Sequence, residues 1–186
     1  LVTGETVTEV GDFYSANKGT LEAVHGSFQD IDGNGVLTVV LYDIPDEYDL
    51  GRNDTNSSLY QHGYFTLYEE VGSMVNTGDF MYLDVSPQTI TGTGDLATMK
   101  NAIAHEFATL LIDQNDPGEE IWLKEALAFY AQERLLSDVK FFGSGTAPST
   151  PAANQLTYVS FSKKSRIDQH HVYLFLTYLF EKYTQT

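Results

Sequence analysis

A histidine and a glutamate stand side by side as His105-Glu106, and no other charged or titratable side chain occurs from residue 101 to residue 112. Met99, Ile103, Phe107 and Leu110 fall on one helical stripe, while Ala104, Ala108, Leu111 and Ile112 make the remaining faces apolar. The pair therefore lies midway along a helix expected to be buried, where a carboxylate is costly unless something pairs with it. Taken alone, the pair reads as a satisfied core histidine beside a glutamate at a solvent gap. A second stretch shifts that balance. Glu125 has Ile121 and Phe129 four residues to either side and Trp122 and Ala128 at three, so its nearest helical neighbours are all apolar. It is a carboxylate aimed into a core or a cleft wall. Since the chain contains no cysteine, histidines and carboxylates are its only good metal ligands.

Fainter patterns lie elsewhere. Asp30, Asp32, Asn34 and Gly35 match the opening of an EF-hand loop, D-x-D-x-N-G. The twelfth position is Leu41, where a bidentate glutamate belongs, and the segment runs into a strand; a tight turn is expected here, and calcium is not. Asn53-Asp54-Thr55 and Asn56-Ser57-Ser58 are glycosylation sequons, which have meaning only on a eukaryotic secretory route. His25 and His62 are isolated, and His170 and His171, being adjacent, face different ways on a helix. Each is expected to be structural or exposed.

The elements that position these residues follow from the apolar patterning. Residues 36–44 (VLTVVLYDI) are β-branched and almost continuously apolar, which predicts a buried strand. GYFTLYEEV (63–71) and FMYLDV (80–85) are further strand candidates. Asp95 is a reasonable cap for the helix expected over 96–112. Asp116-Pro117-Gly118-Glu119 spells a helix start, predicting a second helix over about 117–136, and 167–183 reads as a last amphipathic helix. Before residue 36 only a short helix near 20–28 is expected. The architecture is α+β in one domain, residues 1–186, with a sheet-rich part over 1–95 and a helical part over 96–186.

Composition narrows the function. A chain of 186 residues, 42% hydrophobic, is long enough to bury a core and falls within the size of one domain. Ten Lys and Arg against 26 Asp and Glu give a net charge of −16, which repels phosphate backbones and anionic lipids, so neither nucleic acid nor a membrane surface is an expected partner. No apolar run approaches the roughly 18 residues of a membrane span. An acidic, cysteine-free chain with 12 Tyr and 11 Phe suits an exported bacterial protein, secreted or at the cell surface. Opening at Leu1 without a signal pattern, it reads as a mature fragment or an excised domain.

The stretches AIAHEFATLL (102–111) and IWLKEALAFYAQE (121–133) resemble the zinc helix and the third-ligand helix of the hyicolysin-like neutral metallopeptidases, a gluzincin family. DIDGNGVLTVVLYDI (30–44), GYF (63–65), FMYLDV (80–85) and YLFLTYLFEKY (173–183) resemble that family in the same order, so the likeness spans residue 28 to the end. It implies a zincin-like fold, a small sheet on an active-site helix followed by further helices. By the same likeness His105 and Glu125 are zinc ligands, Glu106 is the general base, and a peptide or protein lies in the cleft. Such zinc helices read HExxH, because residues four apart share a helical face and two imidazoles there grip one metal. This chain has Thr109 at the second position. A neutral hydroxyl is a poor zinc ligand, and a catalytic zinc uses three protein ligands plus water. Zinc takes the pKa of its bound water from about 15.7 to about 7, nucleophile activation on the order of 10 kcal/mol that Glu106 alone does not replace. The expectation is thus a pseudopeptidase with zinc absent or weak, acting as a binding or structural module. An active peptidase would need a substitute ligand, for which His62, Asp113 and His170 are the candidates. An oxyanion donor, in such a family a Tyr or His beyond the third ligand, would come from His170 or His171.

Overall fold

The computed structural model describes residues 2–45, 63–71, 74–85, 96–135 and 166–183. The chain opens on a 22-residue helix, α1 (Gly4–His25), where only a short helix over 20–28 was expected. Thr3 caps it by accepting the Thr6 N–H on its hydroxyl, which satisfies one of the helix's orphan donors. Its buried residues are Thr6, Val10, Phe13 and Leu21, a narrow stripe at helical spacing. Gly26 ends it with φ of 98°, a left-handed value, and a side chain there would collide with Asn115.

Three strands follow: β1 (Thr38–Tyr42), β2 (Gly63–Val71) and β3 (Met74–Asp84). They form one sheet in the order β1-β3-β2, with β1 parallel to β3 and β2 antiparallel to it. The apolar run over 36–44 therefore yields an edge strand, half-buried along most of its length, and not the buried strand its composition suggested. Alternation along β3 sorts its two faces. Met81 and Leu83 are fully buried in the core, whereas Phe80 and Tyr82 lie on the other face. There Tyr82 stacks on Tyr64 with ring centroids 4.7 Å apart, and the Tyr42 and Tyr64 hydroxyls meet at 2.9 Å.

α2 (Leu96–Asn115) is the central element and runs three residues beyond the expected end. Met99, Ile103, Phe107, Ala108, Leu110 and Leu111 are all buried on it, held between α1 and the sheet. Tyr14 of α1 meets Phe107 edge-on at 5.0 Å, a favoured aromatic geometry. α3 (Ile121–Tyr130) starts four residues later than predicted and runs into a π-helical turn, Ala131–Leu135. Residues 117–120, expected as the first helical turn, instead form a turn in which Glu119 N–H donates to the Asp116 carbonyl. Glu120 takes the N-cap position without a side-chain bond. α4 (Arg166–Tyr183) packs on α3 through Val172 and Leu176, with Tyr130 stacked on Phe180 at 4.3 Å. No described helix is long and apolar enough to cross a membrane.

Candidate metal centre

α2 is buried on most of its circumference, yet Asn101, His105, Thr109 and Asp113 are each only half-buried. Spaced by four, they form one polar stripe along the helix. α3 and its π-helical turn meet this stripe in antiparallel order. Gln132 donates to the Asn101 side chain at 2.8 Å, Glu125 meets His105, and Lys124 pairs with Asp113. The Phe129 ring lies 4.6 Å from the His105 imidazole, centroid to centroid, and fixes its plane from the side.

His105 Nε2 and Glu125 Oε2 are 3.3 Å apart, with the side chains 15% and 26% exposed. Two ligands of a tetrahedral zinc, each about 2.0–2.2 Å from the metal, stand roughly 3.3–3.6 Å from one another. The spacing thus suits an ion pair and equally one edge of a metal site. The third position is different. Thr109 Oγ1 donates to the His105 carbonyl at 2.9 Å, so its proton is turned back onto its own helix. A hydroxyl bound in this way offers zinc neither charge nor a basic lone pair. Among the described residues, the only group of three or more histidines and carboxylates close enough to share a metal lies elsewhere, at Asp30, Asp32 and Asp79. A catalytic zinc, with its three protein ligands, does not fit the described residues.

Glu106 lies on the sheet side of α2, half-buried, with its stem against the start of β2. A side chain at Gly63 would come within 3.2 Å of Glu106 Cγ and 2.8 Å of the Tyr82 carbonyl, so glycine is what lets strand and helix approach here. Asp113, one of the three candidate substitutes, is engaged by Lys124, which also donates to the Pro117 carbonyl. It sits two helical turns, about 12 Å, beyond His105, too far to complete that site. His62 and the side chains of His170 and His171 lie outside the described residues. The Lys124–Asp113 pair and the Phe129 contact were missed in the sequence. Their signal was antiparallel pairing of two helices across a tight turn, which shows only once both helix registers are known.

An α+β arrangement, with four α-helices and a small sheet among the described residues, presenting His-Glu on one buried helix and a glutamate on the next, is compatible with a zincin-like metallopeptidase domain. Among known proteins it is similar to the neutral metalloprotease ShpI of Staphylococcus hyicus, 27% identical over 175 residues, covering 85% of this chain and 36% of that protein. The likeness is distant and supports a metallopeptidase family, with zinc as its metal, and nothing finer. The chain spans about a third of that relative's length. No family model and no solved structure matches the sequence.

Proposed function

We propose that this chain is a single metallopeptidase-like domain, residues 1–186, that no longer hydrolyses peptides and serves an exported protein as a binding or structural module, with a protein or peptide as its partner. One observation carries this reading: the Thr109 hydroxyl is bound to its own helix beside a His105–Glu125 pair already spaced for a metal. Two donors are one short of a catalytic zinc site. Without the metal, Glu106 faces unactivated water, and the deficit on the order of 10 kcal/mol corresponds to roughly seven powers of ten in rate. Secretion or surface display accords with an acidic chain that lacks cysteine.

Metal analysis of protein purified without chelator, together with hydrolysis of a quenched peptide library, tests the proposal. Zinc well below one ion per chain and no turnover after adding zinc are the expected results. One zinc per chain, with turnover that Glu106→Gln removes, would overturn it and place the missing ligand outside the described residues, at His62 or His170.

A further inference from the structure

The acidic loop after α1 lacked a carboxylate at its twelfth position, and that gap argued against calcium. The fold brings one from another strand. In the parallel pairing of β1 with β3, Thr38 lies opposite Phe80, so Asp79 stands beside the point where the loop enters β1. One carboxylate oxygen from each of Asp30, Asp32 and Asp79 lies within 4.8 Å of the others. Ligand oxygens around calcium at about 2.3–2.6 Å span at most roughly 4.6–5.2 Å, so all three fit one coordination sphere.

Asp79 supplies the second, independent observation. It is only 1% exposed, whereas Asp30 and Asp32 are exposed. Its Oδ2 accepts the Ile31 N–H at 2.9 Å, while its Oδ1 is buried and takes no hydrogen bond among the described residues. A carboxylate in that position has been removed from water and set beside two like charges, and both effects push its pKa up, burial being the larger. A cation held by the three carboxylates offsets that repulsion and supplies the buried carboxylate with the counter-charge its surroundings lack.

We infer that Asp30, Asp32 and Asp79 form a calcium site in which a carboxylate from β3 replaces the missing glutamate of the EF-hand-like loop. Three carboxylates, two on an exposed loop and one on β3, favour calcium over magnesium, which demands a near-ideal octahedron and is usually held by one or two carboxylates. Gly33 and Gly35, both at φ of 76°, let the loop fold back on Asp30, whose carboxylate accepts the N–H groups of Gly33, Asn34 and Gly35. The loop is also tied to the end of α2. Gln29 and Gln114 exchange three hydrogen bonds, and Asn115 donates to the Ser27 carbonyl. Calcium here would brace the end of the His105 helix against the sheet, a structural role independent of whether the domain hydrolyses anything.

Titration of the chelator-stripped chain with calcium chloride by calorimetry, with thermal melts in calcium, magnesium and chelator, tests the site. One calcium per chain is expected, with Asp79→Asn and Asp32→Asn each weakening it roughly tenfold or more, and Asp12→Asn on the exposed face midway along α1 leaving it unchanged. Asp79→Asn should also reverse sign: in chelator it melts at or above the parent, because it removes a buried charge, and in calcium it melts below. Absence of saturable binding up to millimolar calcium, or Asp79→Asn binding as tightly as the parent, overturns the inference. Should Asp79→Asn fail to fold, Asp32→Asn on the exposed loop decides the same question, and unchanged affinity in that variant is equally fatal.

Discussion

Thr109→His puts a second imidazole one helical turn from His105, beside a carboxylate that α3 already holds 3.3 Å from it. The change forfeits the hydroxyl's bond to the His105 carbonyl, about 0.5–1.5 kcal/mol at most, since such a back-bond contributes little to a helix. Overpacking adds a cost of roughly 1–3 kcal/mol, and Thr109 is half-buried, so the low end applies. Against these stands a three-ligand zinc site with water in the fourth position, set beside the about 10 kcal/mol or more that a structural zinc contributes. The balance favours zinc, and affinity should rise by several orders of magnitude over the parent. With free zinc at 100 times Kd, the mutant gains about 2.7 kcal/mol. At roughly 2–4 °C per kcal/mol for a chain of this size, that raises its Tm by roughly 5–11 °C. Calorimetric titration and melts with and without zinc read both quantities side by side. If parent and mutant bind zinc equally, whether tightly or not at all, Thr109 is not the vacant ligand position and the pseudopeptidase reading loses its basis.

Two further measurements probe the polar stripe and the helix that covers it. Because His105 and Glu125 are partly exposed, their pair ranks between a surface and a buried ion pair, and Glu125→Ala should cost about 1–2 kcal/mol in urea unfolding. Glu125→Gln keeps an acceptor and should cost distinctly less; equal, negligible losses from both would show that Glu125 is simply exposed. His25 is held neutral by burial, its pKa lowered from 6.5 to about 4, and its Nε2 finds no hydrogen-bond partner among the described residues. Since the unfolded chain takes up this proton first, the stability it contributes is present above pH 6.5 and is lost as pH falls toward 4, about 3 kcal/mol in all. His25→Gln should flatten that part of the Tm-versus-pH curve, and an unchanged slope would assign the acid sensitivity to other groups.

How much of this was legible depended on whether the determining contacts were local. α2 was readable because its apolar residues cover most of its circumference, and β2 because an aromatic and β-branched run follows a polar loop; β2 agrees with expectation over its whole length. α1 was not readable. Glycines at 4, 11 and 19 and several threonines lower its intrinsic helicity, and only four of its 22 residues are buried, so packing against α2 does most of the stabilising. The start of α3 failed for a related reason: Asp116-Pro117-Gly118-Glu119 is as good a turn as a helix start, and the Lys124 bonds to Asp113 and Pro117 hold it as the turn. At the candidate metal centre spacing alone put His105 and Thr109 on one helical face, whereas their reading as a zinc ligand and a vacant ligand position, with Glu125 as a further ligand, came from the family resemblance. The acidic loop shows the opposite case. Its own twelve residues contain the argument against a metal, and the carboxylate we infer to complete the site lies 49 positions from Asp30, delivered by a parallel strand pairing no local pattern encodes. A motif judged incomplete along the chain can be completed across a sheet, so counting ligands within a loop bounds its affinity only when the neighbouring strand is known.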